Sequence, residues 1–404
     1  MKVLIVSFYY SPEIGAAPSR ITNMAEGLQK EGAEVDVLTC LPNYPKGKIF
    51  DGYKGCLYKK EIINGVRTFR FWTYATVSKS SLARIMGMLF FAIAIWIFGL
   101  RVSQVLKYDR VVIQSPPILV SYSAMLLFRC LYRRHTILNV SDLWPLSAIE
   151  LGAIKEGSLY CKILKKMERF LYHHTSAYQA QSQEIIDHIQ AFGYNKPHFL
   201  YRNLQNQSSL ATTAIQDRTT FKIVYAGLLG VAQDMLGIIQ HIDFKKMGTE
   251  IHIYGGGNQA EAIRQYASEH DHGIVFHGYQ PKETINNVLG HFHASIVPLT
   301  VRIKGAVPSK IFDLLPHGTP ILFAGGGEGE HIINSYHLGL VSAPGDYDAL
   351  KNNIMKMKML SDEEYAQLRT NCFKSSKDEF SFDRQMKRYQ VFLDTSIQDS
   401  FVSK

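Results

Sequence analysis

The chain has 404 residues, about two domains' worth at roughly 100–200 residues each, and its 46% apolar content is ample for two cores that need no covalent staple. A formal charge of +9 suits an anionic partner such as a nucleotide, a phospholipid surface or a nucleic acid. The five cysteines are odd in number, widely spaced and without a C-x-x-C pair, which argues against a disulfide framework and for free thiols in a reducing compartment.

The opening MKVLIVSFYY reads as one basic residue and a buried strand, KVLIV (2–6), rather than a leader with a long apolar stretch and a cleavage site. Pro18 opens a helix that ends near Gly32, the expected asymmetry of proline at the start and glycine past the end. EVDVLT (34–39), RVVIQ (110–114) and TILNVSD (136–142) are further strands. The apolar run IMGMLFFAIAIWIFGL (85–100), between Arg84 and Arg101, is a little short of the roughly 20 residues a spanning helix wants. Residues 203–220 turn polar and lose periodicity, as a linker does. The alternation then restarts with FKIVYAG (221–227), EIHIYGGG (250–257), IVFHG (274–278), ASIVPL (294–299) and PILFAGGG (320–327), and SFDRQMKRYQVFLD (381–394) is an amphipathic closing helix. Strands alternating with helices predict parallel sheets covered on both faces, in two α/β lobes with a cleft between them.

In such sheets ligands collect at the carboxyl ends of the strands. Four stretches lie there. SFYYSPEIGAAPSR (7–20) leaves the first strand with Gly15 and two alanines, a backbone that a ligand can approach at a helix N-terminus; an ordinary β-to-α loop reads the same way. YAGLLGVAQDMLGIIQ places Gly227 and Gly230 between strand and helix, which suits a phosphate cradle with Gln233 as a donor, or else a simple glycine turn. In VPSKIFDLLPHGTPILFAGGG (307–327) Ser309 can cap a helix, with Lys310 in its first turn and Asp313 on the same face. Gly318 closes that helix, Pro320 starts a strand, and Gly325, Gly326 and Gly327 lead to Glu328. A nucleoside diphosphate needs this combination. A lysine neutralises phosphate, a carboxylate accepts from two ribose hydroxyls, and bare backbone N–H groups reach the ligand. The alternative is a surface salt pair beside a flexible loop. In NVSDLWPLSAIELG (139–152) Asp142 stands at a strand end, where it either orients an acceptor hydroxyl or caps the next helix. No G-x-G-x-x-G follows the first strand, no ribose-binding acid follows the second, and no G-x-x-x-x-G-K-[ST] occurs. EHDHG (269–273) and HFH (291–293) lack the spacing of a zinc site, and His173 and His174 read as a polar helix edge.

Taken in order, YYSPEIGAAPSR, LPNYPKGK, SDLWP, YAGLLGVAQ, VPSKIFDLLPHGTPIL and GGGEGE resemble the retaining glycosyltransferases of family 4, and among them the transferases of bacterial capsule, O-antigen and colanic-acid assembly, including those moving N-acetylfucosamine. The resemblance spans almost the whole chain. It implies the GT-B fold: two Rossmann-like, doubly wound parallel-sheet lobes. The expected division is an acceptor-binding lobe at 1–202, the linker at 203–220, a nucleotide-sugar lobe at 221–378, and a helix at 379–404 that packs back toward the first lobe. It also implies an NDP-sugar donor, UDP-linked by expectation, a lipid-diphosphate-linked glycan acceptor, and no metal or other cofactor. The expected donor set is Gly15, Arg20, Gly227, Gly230, Gln233, Gly255, Tyr279, Ser309, Lys310, Asp313, Gly326, Gly327 and Glu328, with Lys310 and Asp142 as the catalytic pair. The chain departs from the family in two ways. The paired glutamates, eight positions apart, fall on Gly305 and Asp313, so the first is lost; the phosphate-binding Arg and Lys after the first strand of the second lobe are replaced by GLLGVAQDM, leaving Lys310 as the substitute cation. Retention implies attack from the leaving-group side, with the departing phosphate taking the acceptor proton. An apolar helix at 79–101 and the bases Lys79, Arg84, Arg101, Arg133 and Arg134 fit a peripheral site on the inner face of the plasma membrane, or simply a buried core helix. Rival readings are a nucleotide-sugar 2-epimerase and a non-catalytic sugar-binding subunit. Nucleic-acid binding is not expected, since no aromatic-and-basic motif accompanies the charge.

Overall fold

The computed structural model describes residues 1–76, 81–206 and 218–396. Most of the expected linker, and Lys79, lie outside the described residues. The chain divides into two compact units, one from residues 1–206 with the C-terminal helix Phe382–Thr395, the other from the residues between.

The first unit is built on an eight-stranded sheet. Its strands are β1 Lys2–Val6, β2 Glu34–Cys40, β3 Tyr58–Ile63, β4 Val66–Phe71, β5 Arg110–Ser115, β6 His135–Val140, β7 Ala177–Ala180 and β8 His198–Leu200, in the order β3-β4-β2-β1-β5-β6-β7-β8. All neighbours are parallel except β3 and β4. Val3, Leu4, Ile5 and Val6 are wholly buried, as a strand covered on both faces requires. The β3–β4 hairpin turns at Asn64-Gly65, both at positive φ, the signature of a two-residue hairpin turn.

Two helices need comment. The C-terminal helix packs on the Ala16–Lys30 helix at Gly27, where a Cβ would come within 2.8 Å of Met386 Cγ. It is held further by Arg110 Nε donating to the Leu393 carbonyl at 2.6 Å and by a Lys30–Asp383 ion pair at 2.9 Å. The apolar run lies in a longer helix, Ser81–Gly99. Phe91, Ile95 and Phe98 are buried in the core, while Leu82, Met86, Leu89, Ile93, Trp96 and Ile97 form an exposed stripe at 3–4-residue spacing, continued by Leu100 just past the helix end. The helix is long and apolar enough to cross a membrane by length and composition, yet one of its faces belongs to this unit's core.

The second unit carries six parallel strands, β9 Phe221–Ala226, β10 Thr249–Tyr254, β11 Ile274–Gly278, β12 Ala294–Pro298, β13 Ile321–Ala324 and β14 Gly339–Ser342, ordered β11-β10-β9-β12-β13-β14. The strand order reverses between β9 and β12, as it does between β1 and β5 in the first unit. Each reversal opens a crevice at the carboxyl edge of its sheet.

Arg70 of β4 is fully buried. It donates to the Glu61 carboxylate, to the Ser11 carbonyl and, at 3.1 Å, to the Cys40 carbonyl, tying the loop after β1 to the sheet. Arg70→Met takes the guanidinium from two carbonyls and from Glu61, which keeps its bonds from Tyr53 and Lys59, and is expected to cost this unit about 1–3 kcal/mol. All three tryptophans, Trp72, Trp96 and Trp144, lie in this unit, so urea unfolding followed by tryptophan fluorescence reads the loss directly.

Candidate functional site

The β9–β12 crevice is organised by a lysine that reaches across it. Lys310 opens the short helix Lys310–Leu314. Its Nζ donates to the Tyr225 hydroxyl at 2.9 Å and stands 4.1 Å from the centre of that ring; the Tyr225 hydroxyl in turn donates to the Leu228 carbonyl. A Cβ on residue 227 would fall 2.1 Å from Lys310 Nζ. The ammonium therefore occupies the space that a side chain at Gly227 would fill. Burial pulls the Lys310 pKa down to about 7, with the Asp313 charge opposing the drop. Burial likewise raises Asp313 to about 6 against the pull of Lys282 and Lys310. Asp313 Oδ1 is enclosed and accepts no hydrogen bond among the described residues. The pair is thus neither on the open surface nor closed on itself: a cation and an acceptor stand side by side, each with capacity for a ligand.

The loops beside them fit only as bare backbone. A Cβ at Gly255 would sit 1.9 Å from the Gly227 carbonyl oxygen, and one at Gly257 would sit 2.3 Å from that of Leu229. Gly227 N–H donates to the Tyr254 carbonyl and Leu229 N–H to that of Gly256, both at 2.9 Å. Gly230 lies against Gln233, whose Oε1 is buried without a hydrogen bond among the described residues. The helix that follows, Met235–His241, does not complete a phosphate cradle as expected. Asp234 caps it by accepting from Gly237 N–H at 3.3 Å and from the Tyr347 hydroxyl, so a carboxylate already fills that helix end. Ser309 also differs from expectation. It holds the N-cap position, but its backbone is helical and its side chain makes no capping bond. Tyr279, on the loop after β11, is 71% exposed and adjoins Gly256. Gly326 and Gly327 follow β13; Gly327, at φ 70°, starts the helix Glu328–Ser335, with Glu328 buried in its first turn.

The first unit gathers Gly15, Arg20 and Asp142. A Cβ on Gly15 would meet the Tyr44 ring at 2.9 Å. Arg20 is buried, donates through Nη2 to Gln181 Oε1 at 2.6 Å, and has its pKa lowered by burial while Asp142 supports its charge. Asp142 does not cap a helix: the next one, Leu146–Glu150, has Pro145 at its N-cap. Its exposed carboxylate takes no hydrogen bond among the described residues. The sequence reading passed over Glu13. That buried carboxylate accepts from the backbone N–H of Tyr10 (3.1 Å), Asn43 (2.8 Å) and Tyr44 (2.9 Å), joining the loops after β1 and β2. Tyr225 was missed as well. Among the described residues no three His, Cys, Asp or Glu side chains are grouped to hold a metal ion; His293 instead accepts from Lys222 N–H at 2.8 Å, and His270 stacks on Tyr266.

Comparison with known proteins follows the same division. Residues 15–201 match the glycosyl transferase 4-like domain and residues 220–358 match the glycosyl transferases group 1. The putative colanic acid biosynthesis glycosyl transferase WcaI of Escherichia coli (strain K12) is 24% identical over 343 residues, 79% of this chain and 82% of that protein. Sucrose-phosphate synthase from Thermosynechococcus elongatus matches in structure with a TM-score of 0.71 at 14% identity, over 100% of both chains. Anabaena HepE (Alr3699), solved with UDP and glucose, matches with a TM-score of 0.68 at 12% identity, over 98% of this chain and 100% of that one.

The lowered Lys310 pKa predicts a pH signature. Between the folded value of about 7 and the unfolded value of about 10.4, the unfolded chain holds a proton that the folded one does not, so stability rises with pH across that window. In calorimetry from pH 7 to 10, the wild type should gain thermal stability relative to Lys310→Met; parallel curves would show that Lys310 keeps an ordinary pKa.

Proposed function

We propose, for a chain that belongs to the group 1 glycosyltransferases and has their GT-B fold, that it transfers a sugar, with retention, from a UDP-linked donor to a lipid-diphosphate-linked glycan during assembly of a bacterial surface polysaccharide. The observation that carries the donor half is the Lys310 ammonium in the space above Gly227, in no salt bridge among the described residues and beside a carboxylate with an unused acceptor. The diphosphate lies on Lys310 and on the backbone of the Gly227 and Gly255 loops. The pentose hydroxyls donate to Asp313, and the base covers the exposed ring of Tyr279. Solved relatives in fold are described with UDP and a sugar or with a UDP-sugar analogue, which supports this class of donor.

In the reaction the acceptor oxygen bonds to the anomeric carbon as the bond from that carbon to the phosphate oxygen breaks. The acceptor proton passes to the departing phosphate, on the side of attack, giving glycoside and UDP. Lys310 meets the charge that grows on the leaving diphosphate, the part a metal ion plays in other transferases, and no metal is assigned here. Asp142, unengaged in capping, orients the acceptor hydroxyl. Arg20, which is buried and held by Gln181, keeps its charge behind Asp142.

The exposed stripe of the Ser81–Gly99 helix supports the acceptor half. Leu82, Met86, Leu89, Ile93, Trp96 and Ile97 offer an apolar face that suits the acyl boundary of a membrane, with Arg84 and Arg101 near the helix ends for anionic headgroups. A protein held there by one helix face meets a lipid-linked glycan at the surface where it resides. The colanic acid assignment of WcaI points to the same class of product for a relative in sequence.

Three outcomes test this reading. Lys310→Ala should weaken UDP binding in calorimetry about 10- to 100-fold, the loss of one charge-assisted contact; unchanged affinity would remove Lys310 from the donor site. Asp142→Asn should lower turnover at least about 100-fold while leaving UDP affinity alone. Leu89→Glu with Ile93→Glu should release the protein from anionic phospholipid vesicles without loss of helix content, whereas a wild type that ignores such vesicles would contradict the membrane contact.

A further inference from the structure

At the β11 edge of the second sheet two histidines share a hydrogen bond. β11 ends the strand order and pairs with β10. The register of that pair slips near its end: Ile253 lies opposite Phe276, but Tyr254 lies opposite Gly278, which makes His277 an extra residue. A bulge of this kind re-aims a side chain. The His277 ring lies flat on that of Tyr254, with centres 4.1 Å apart and planes at 1°. Its Nε2 is 3.0 Å from His252 Nδ1. The other nitrogen of His252 is 3.4 Å from Glu250 Oε2.

These partners assign the hydrogens. Burial lowers the pKa of both rings, for His252 against the pull of Glu250, so each ring is neutral at neutral pH and has one donor nitrogen and one acceptor. The charged groups that face His252 are Glu250 on its own strand and Lys222 on β9, and Phe292 stands 5.0 Å from its ring centre. A carboxylate only accepts, so His252 carries its hydrogen on Nε2. His252 Nδ1 is then the acceptor and His277 Nε2 the donor. Both His252 bonds are used, and the His277 ring has one orientation that satisfies them.

The chain of bonds ends one residue before the loop that carries Tyr279. Gly278, at φ 66°, turns the backbone there, and its carbonyl accepts from Gly255 N–H at 2.8 Å. Gln280 Nε2 returns to the His277 carbonyl at 3.3 Å. Tyr279 stands between these two anchors with its ring 71% exposed.

We infer that Glu250, His252 and His277 are positioning residues for nucleotide recognition: their hydrogen-bonded chain fixes the end of the edge strand, and with it the Tyr279 ring that receives the base. The diphosphate end is set separately, by Lys310 and the glycine loops. The inference rests on the donor reading above and adds to it the device that holds the base-contacting side chain.

Calorimetric titration with UDP and with inorganic pyrophosphate, which has no base, tests it. His252→Leu removes the acceptor and keeps an apolar group against Phe292, while His252→Asn puts an amide oxygen near the place of Nδ1. His252→Leu should weaken UDP about three- to tenfold, the loss of one hydrogen bond, and leave pyrophosphate within about twofold. His252→Asn should bring UDP back to within about twofold of wild type. A residue that served packing alone would show the opposite order, with leucine the better replacement. Wild-type UDP affinity in His252→Leu, no recovery in His252→Asn, or an equal loss of pyrophosphate would overturn the inference. Tyr279→Ala separates it from the reading beneath it. If Tyr279→Ala weakens UDP and His252→Leu does not, the histidine chain alone is refuted. If Tyr279→Ala leaves UDP binding unchanged, or wild type binds no UDP, the base does not lie on Tyr279 and the inference falls with that reading.

Discussion

The second unit's chemistry depends on one ammonium group placed where a side chain is missing. Lys310 Nζ stands in the volume that residue 227 would fill with anything larger than hydrogen. It is held there by a phenol that accepts from it and donates onward to the Leu228 carbonyl. Burial works against the charge and brings its pKa to about 7, so the group gains most from a ligand that returns negative charge to it. The constraint spreads from there. Gly227 has to be bare for the lysine, Gly255 for the Gly227 carbonyl, and Gly257 for the Leu229 carbonyl. A lysine, a tyrosine and three glycines thus form one spatial unit drawn from three separate stretches of chain.

Both sheets apply the same rule for placing a site. Their strand order reverses once, next to the first strand of each, and the loops on either side of the reversal are free to diverge. In the second unit glycines keep those loops close. In the first unit charge does so: Glu13 accepts three backbone N–H groups from the loops after β1 and β2, and Arg70 ties Ser11 to β3 and β2. These buried groups fix the loop that leads to Gly15, whose missing side chain makes room for the Tyr44 ring. Asp142 and Arg20 complete the polar edge of this unit, the former exposed, with desolvation raising its pKa against the pull of Arg20, and the latter buried.

Strands covered on both faces were legible because an apolar β-branched run has few other uses: KVLIV and ASIVP lie in the structure where the sequence puts them. β7, β8 and β14 escaped notice, being three or four residues long with polar or glycine positions. The β3–β4 hairpin escaped notice too, although Asn64-Gly65 between its two strands is a strong turn signal. Lys310 and Asp313 stood out through their spacing on one helix face. Tyr225 could not, because its hydrogen bond joins residues 85 positions apart and no local pattern encodes such a contact. Ser309 shows the converse. A serine before a helix suggests a cap, yet its helical backbone turns the hydroxyl away from that role, and the true cap of the earlier helix is Asp234, readable as an aspartate three residues before Gly237.

A structure determined with UDP bound tests the central claim most directly. The account predicts a diphosphate oxygen within hydrogen-bond distance of Lys310 Nζ and the two pentose hydroxyls on Asp313. A nucleotide bound with its diphosphate away from Lys310, leaving the Lys310–Tyr225 contact and Asp313 untouched, would contradict it.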